Sequence, residues 1–561
     1  MSAKRKHKHI RWRHSDHLSG AEHEMLAHDP PLSPHDEAVF LLHIAAEVEH
    51  SLLVQYLYAA YSLKGAHDVA PEHQAMVRAW KSTLLGIARE EMGHLVTVQN
   101  LLRLIGAPVT LDREDYPFRT DLYPFHFRLE PLSKDSLAKY VVAEMPHIAE
   151  PSAEVQEISR RASNAAALPV NRIGTIYARI AFIFSPPAGD HALHLTDADF
   201  AGRVDSLQAH FGDWGAGSSI LIPEIRDREE ALEAIAELSE QGEGLFDSSG
   251  APSHYQRFLD MYRQFPGEGE WEPVHAVPAD PSTNRTAGGE DEGRITHPHA
   301  RRWAQLANMR YRLLLAYLSH FLQSDGPLVE AHCEPGLRGF LRNWTFDEMR
   351  RLGQIAGRLA TMPRFEHGAA RPERAGVPFE LPYTINLPDR EADKWRHHIN
   401  VLSAAIALER EIQRDFPEAH DPMVHDLVLA DHATREIMQA VLQGEALPGP
   451  RGGFARVVQI LESSVHGFPI GAHHNFWRNC SRDEFVNKRI FGNPLIARAP
   501  EGGFDAANSN LVKALRGEMP FDAELAGDNT HFPRMPAHRP PVPDECIEFV
   551  YGWIMDGCPE D

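Results

Sequence analysis

Apolar residues recur at helical spacing through most of this chain, and almost nowhere do they alternate as along a half-buried strand. The clearest run opens at Ser33-Pro34-His35-Asp36, where a capping hydroxyl, a proline at the first helical position and an early acid predict a helix start. Residues 37–64 continue that helix, and Gly65 supplies its stop. A second long helix is predicted over 72–105, ended by Gly106 and Pro108. Both runs are apolar around most of their circumference, as in helices enclosed by a bundle. Shorter helices are predicted over 134–143, 170–184, 228–241 and 254–265. Longer amphipathic ones follow over 299–323, 336–361, 389–415 and 422–443. Glycine, proline and acids make 266–298 read as a long surface excursion, and beyond Gly444 the helices shorten. The expected architecture is mainly α. It has a flexible basic tail over 1–32, a helical domain over 33–386, and a smaller, mostly helical C-terminal module over 387–561.

Composition narrows the function classes. The 561 residues are 43% hydrophobic and 24% charged, an ordinary globular balance that excludes a mainly disordered chain. No run reaches the roughly 18 consecutive apolar residues of a membrane helix. With 56 Lys+Arg against 79 Asp+Glu, the net charge of −23 argues against a nucleic-acid-binding surface. The first twenty residues are basic and His-rich but lack the apolar core of a signal peptide, so a cytoplasmic location is the default expectation. Cys333, Cys480, Cys546 and Cys558 form no C-x-x-C pair, which excludes a zinc ribbon, a thioredoxin motif and covalent haem.

The chemistry concentrates on the first two helices. The second carries Glu90-Glu91-Met92-Gly93-His94, in which Glu91 and His94 are spaced i, i+3 and share a face with Leu84, Ile87 and Val98. Burying a carboxylate and an imidazole among leucines is costly unless something compensates them. A bound cation does so in bundle proteins that take one Glu from one helix and Glu-x-x-His from its neighbour. A lone E-x-x-H is common on helices. Its pairing with an acid on an equally apolar helix is what points to a metal. On the first helix Glu49 is in register with Ala45, Leu53 and Tyr56, whereas Glu47 lies about 200° round the wheel. Glu90 stands i, i+4 from His94, so spacing alone leaves open which acid of the pair is the ligand.

Glu49-His50 with Gln55-Tyr56-Leu57-Tyr58-Ala59, then Glu90-Glu91-Met92-Gly93-His94-Leu95 and Asn100-Leu101-Leu102, resemble the ferritin-like domain of the iminophenylpyruvate dimer synthases of violacein-type bisindole pathways. Glu144-Met145-Pro146, Ile173-Gly174, Gln241-Gly242-Glu243-Gly244, Ser253-His254-Tyr255 and Ala375 through Glu380 extend the likeness over about 36–386. The resemblance implies a ferritin-like helical bundle with metal ligands at Glu49, Glu91, His94, Glu243 and His254. It also implies a carboxylate on the third bundle helix, where this chain has Thr175; Glu144 is the nearest spare acid by motif. For Glu243 and His254 to share an ion, the intervening segment, rich in Gly, Asp and Ser, must break the helix.

The far C-terminus, from Ser509 through Met535-Pro536 to Trp553, resembles the end of small c-type cytochrome domains without their haem attachment, and reads as a packing or docking module. His466, His473 and His474 beside Phe476-Trp477 match no known ligand spacing. The expected function is a non-haem metal oxidoreductase acting on a small amino-acid-derived substrate with dioxygen, in secondary metabolism. Iron suits the ligands, as one or two ions; manganese and copper remain open, as does a homo-oligomer. Tyr56 and Leu53 would wall the site from water. The alternative is a non-catalytic metal-binding or partner-docking protein with a degraded site. Because Thr175 withholds one negative charge, occupancy nearer one ion than two is expected, with Thr175→Glu raising it.

Overall fold

The computed structural model describes residues 30–560, apart from 114–122, 149, 168, 188–192, 201–207, 211–219, 221, 244–249, 268, 285–292, 325–335, 367–372, 382–384, 418–421, 445–452, 466–474, 479, 501, 523–531 and 538–540. The basic tail through residue 29 and His466, His473 and His474 lie outside the described residues. The chain divides into two compact units: 1–209, 221–308 and 353–384 form one, and 210–220, 309–352 and 385–561 the other. Among the described residues no helix is long and apolar enough to cross a membrane.

The first unit contains α1 (Pro34–Ser62), α2 (Gln74–Leu104), α3 (Lys134–Ala143), α4 (Ala153–Ala166), α5 (Gly174–Phe184), α6 (Arg228–Glu243) and α7 (His254–Gln264). The Ser33 hydroxyl accepts the Asp36 N–H at 3.1 Å, so α1 starts where its capping residues predict. α1 and α2 lie side by side, and every residue from Glu90 to Leu102 on α2 is buried. That all-round burial is the apolar circumference read from the sequence. α5 packs on α1 and on α6, while α3 packs on α4 and α7. Sequence periodicity did not predict α4, because its buried stripe is only Val155, Ile158 and Ala162 on an otherwise polar surface. A Ser152 cap and the left-handed Ala167 delimit it.

α8 (Pro298–Gln323) and α9 (Leu337–Leu359) each contain a boundary between the units. The second unit continues with α10 (Glu391–Asp415), α11 (Pro422–Gln443), α12 (Gly453–Ser464), α13 (Arg482–Val486), α14 (Asn510–Arg516) and α15 (Asp544–Met555). Two short antiparallel pairs, β1 (Arg489–Ile490) with β2 (Asn493–Pro494) and β3 (Ala497–Arg498) with β4 (Phe504–Asp505), are the only strands among the described residues. From Phe454 onward the module has a core of its own, in which Trp553 packs on Phe454 and Phe485.

Arg310, wholly buried in the second unit, donates to Asp431 at 2.6 and 3.1 Å, to Glu348 at 3.2 Å, and to Glu409. Arg351 reaches Glu348 at 2.7 Å and Asp431 at 2.9 Å. Two guanidinium groups thus face three buried carboxyls, and one proton would make the cluster neutral. Burial pushes Glu409 up to about 8 against the pull of Arg310, with Asp431 adding to the push, and burial raises Glu348 as well.

Candidate metal centre

Five side chains from four helices converge inside the first unit. Glu49 comes from α1, Glu91 and His94 from successive turns of α2, Glu144 from the C-terminal cap of α3, and His254 from the first position of α7. The Ser253 hydroxyl accepts the Gln256 N–H and fixes the start of α7 at His254. α6 ends at Glu243, so the helix break required before His254 is present.

Glu91 lies between the two imidazoles. Its Oε2 is 3.3 Å from Nδ1 of His94, and its Oε1 is 2.8 Å from Nδ1 of His254. Each histidine then faces one further carboxylate: Glu49 Oε2 lies 3.4 Å from His94 Nδ1, and Glu144 Oε2 lies 3.7 Å from His254 Nδ1. The ring centroids are 5.3 Å apart. Ligand atoms of Glu91, His94 and His254 all fall within 4.8 Å of one another. The arrangement is a pair of similar half-sites sharing one acid.

The outer atoms are already engaged. His94 Nε2 meets Gln241 Oε1 at 2.8 Å, and His254 Nε2 meets Glu90 Oε2 at 3.0 Å. A ring nitrogen that donates outward turns the other nitrogen inward, the arrangement usual for metal-binding histidines. Tyr177 donates to Glu49 Oε1, and Tyr56 donates to Glu144 Oε1 at 2.6 Å, so each carboxylate has one oxygen anchored. Glu49 Oε2, Glu91 Oε1 and His254 Nδ1 make no hydrogen bond although buried. Close atoms without a hydrogen bond are what acceptors aimed at a common point would give. Orphaned buried acceptors of this kind cost stability unless a cation satisfies them. The residues present therefore fit a metal.

The electrostatics agree. Burial opposes a charged His94, yet Glu91 and Glu49 outweigh it and hold the imidazole up to about 10. Burial likewise opposes charge on His254, and Glu91 foremost raises it well above the ordinary range. Burial and the neighbouring Glu91 push Glu49 up to about 8, whereas the two imidazoles overcome burial and hold Glu91 well below the ordinary range. The centre thus has a negative potential that holds protons on the imidazoles and would favour a cation that displaces them.

The remaining candidate residues take other positions. Glu243 lines the same small cavity, but its carboxylate accepts the Gly174 N–H at 2.5 Å. The Thr175 hydroxyl donates to the Arg172 carbonyl at 2.7 Å. Glu47, away from the apolar face, accepts from Tyr123 at 2.5 Å. Glu90 bonds His254 and Arg257, and despite burial those partners bring it down to about 2. His50, beside Glu49, turns to the Leu111 carbonyl at 2.7 Å; burial, aided by Arg113, lowers it to about 3 and keeps it neutral. Sequence reasoning missed Tyr177 and Gln241 as partners of the site, since their roles arise only when α5 and α6 pack onto it.

Residues 42–263 match the ferritin-like family model, and this segment is a ferritin-like domain. The chain is similar to dichlorochromopyrrolate synthase of Lentzea aerocolonigenes, 26% identical over 395 residues, covering 63% of this chain and 36% of that protein. It is also similar to 2-imino-3-(indol-3-yl)propanoate dimerase of Chromobacterium violaceum, 27% identical over 369 residues, covering 57% of this chain and 33% of that protein. The chain thus spans about a third of the length of these curated relatives. A crystal structure of a ferritin-like protein from Caulobacter vibrioides aligns with 59% of this chain and 97% of its own, at 18% identity and a TM-score of 0.34.

Proposed function

We propose that the ferritin-like domain is a non-haem metal oxidoreductase, with iron as its metal and a small amino-acid-derived substrate, in secondary metabolism. The observation that carries this reading is the convergence of two inward-facing imidazole nitrogens on the two oxygens of Glu91. Glu49, Glu91, His94, Glu144 and His254 would hold the metal, and Glu243 stands next to them as a further carboxylate. Iron bound there supplies redox chemistry toward dioxygen. Mixed carboxylate and imidazole donors suit it.

The chain's own residues prepare that chemistry. Glu90 and Gln241 fix the ring orientations of His254 and His94. Tyr56 and Tyr177 orient Glu144 and Glu49 through protons held on the phenol oxygens, whose ionisation burial pushes well above the ordinary range. Tyr56 packs on Tyr140 and Phe258 at centroid distances of 4.9 Å, so water is excluded on that side. The substrate class rests on the names of the two relatives, which concern an indolyl imino acid and a chromopyrrolate.

One observation favours the non-catalytic reading. The cavity touching Glu49, Glu91 and His94 has a volume of about 10 Å³, which admits a water or an ion but no amino-acid-derived molecule without movement of Ile173 or Leu238. Iron loading of the full chain, followed by oxygen uptake with an enzymatically generated indolyl imino acid, separates the two. Oxygen consumption that depends on iron, on the imino acid and on Glu91 supports the oxidoreductase. Stoichiometric iron binding without oxygen consumption supports the metal-holding protein.

A further inference from the structure

The C-terminal module holds an apolar cavity of about 340 Å³ that opens to solvent. It lies within the module's own core: Leu461, Val465, Trp477, Leu511 and Leu515 line it, and each is almost wholly buried. Native cores are close-packed and rarely hold voids larger than a water. This cavity has more than twice the roughly 150 Å³ of an apolar cavity that takes up benzene, and its size is that of a small-molecule site.

The lining restricts what can enter. Among the described residues no charged side chain lines it. Of its polar side chains, the Ser464 hydroxyl donates to the Leu461 carbonyl at 2.7 Å, the Asn510 amide donates to the Pro494 carbonyl at 2.8 Å, and the exposed Asn493 amide lies 3.4 Å from the Phe491 carbonyl. Trp477 directs its indole N–H to Glu462 at 2.7 Å, outside the lining. What remains is apolar surface, with aromatic rings set among aliphatic side chains. Phe476 meets Trp477 edge to face at a centroid distance of 5.0 Å, and Phe521 lies 5.7 Å from Phe532.

A further lining residue shows a backbone cost. Phe491, at the turn between β1 and β2, has a φ of 49° and is 66% exposed. A bulky residue is rarely held in the left-handed region, and burial does not compensate it here. Placing an aromatic ring at the cavity rather than in the core gives that strain a use.

We propose that this cavity is a binding site for a neutral aromatic small molecule of two or three rings. Ring stacking and apolar contact supply the recognition, and the apolar side chains that line the cavity among the described residues select against ions. The proposal does not depend on the reading of the metal centre.

Titration of the full chain with N-phenyl-1-naphthylamine, a neutral dye that brightens in apolar surroundings, tests it. The expected result is saturable one-to-one binding. Ala514→Phe, which fills the cavity from α14, should weaken binding at least tenfold, and Ala514→Leu by a smaller factor, both with unchanged circular dichroism. If Ala514→Phe fails to fold, Ala514→Leu gives the same reading through its graded loss. Binding that does not saturate, or that is equally tight in the folded filled variants, overturns the proposal. A concentration-dependent dimer in sedimentation that excludes the dye also overturns it, because the cavity would then serve contact between copies of the chain.

Discussion

Nε2 of His254 lies 3.0 Å from Oε2 of Glu90, while its Nδ1 faces Oε1 of the next residue, Glu91, at 2.8 Å. Consecutive helix positions point about 100° apart, so neighbouring acids on α2 reach opposite nitrogens of one ring. On the proposed reading Glu90, held in turn by Arg257, would position the ring and Glu91 would be the inner donor. Glu90→Gln should keep the fold and retain metal, with affinity lower by about 10–100-fold. Competition with a chelator measures it. Unchanged affinity would remove Glu90 from the second shell.

Glu91 touches both half-sites, so its loss should be felt by both. Glu91→Ala should reduce bound metal to well below one equivalent in elemental analysis, and His94→Ala should do the same. Full metal content in both variants with intact helicity would sink the site. In the same assay Glu47→Gln should be silent and Glu49→Gln should lose metal, because Glu47 is bonded to Tyr123 whereas Glu49 Oε2 faces His94.

Much of this was legible in the chain. Burial on both sides of α2 and the i, i+3 spacing of Glu91 and His94 follow from helical periodicity, and Glu49 was separable from Glu47 by register alone. The choice between Glu90 and Glu91 was not legible, because both are buried and the decision belongs to His254, more than 160 residues away in sequence. The helix break before His254 was foreseeable from Gly and Ser content. The outward contacts of Tyr177 and Gln241 were not, since a lone tyrosine or glutamine on an apolar helix carries no signal until its neighbours are packed. α4 was missed for a related reason: a three-residue apolar stripe falls below what periodicity can separate from a polar loop.

Glu144, the spare acid that motif comparison offered in place of a carboxylate at Thr175, faces the site, and Thr175 does not. Glu144 Oε2 approaches His254 Nδ1 at 3.7 Å, whereas the Thr175 hydroxyl is turned to the Arg172 carbonyl. Under the proposed metal reading, charge for a second cation would come from Glu144 rather than from a carboxylate at position 175. Glu144→Gln should lower the number of bound ions toward one, and Thr175→Glu should not raise it. A rise on Thr175→Glu, with Glu144→Gln silent, would restore the expectation drawn from the motif.

Gly174 has a separate requirement. A Cβ at this position would overlap the carboxylate of Glu243, which accepts the Gly174 N–H. Gly174→Ala should displace Glu243 and destabilise the domain by about 1–3 kcal/mol, as overpacking does. Thermal melting measures the loss. A variant as stable as the parent would mean that the Glu243 side chain moves aside at little cost.

The second unit offers a pH test remote from metal chemistry. Burial raises Glu409 to about 8 in the folded chain, against an ordinary value of 4.5. Between those values the folded protein holds a proton that the unfolded chain has released, so stability falls as pH rises. The contribution is fully present below about pH 4.5 and lost once pH passes through about 8. Glu409→Gln carries a permanent neutral mimic and escapes that loss, while its amide oxygen can still accept from Arg310. The variant should melt close to the parent at pH 5 and above it at pH 9, by on the order of 1 kcal/mol or more. If the two melting profiles stay parallel from pH 5 to pH 9, Glu409 is ionised in the fold and the cluster's proton resides elsewhere.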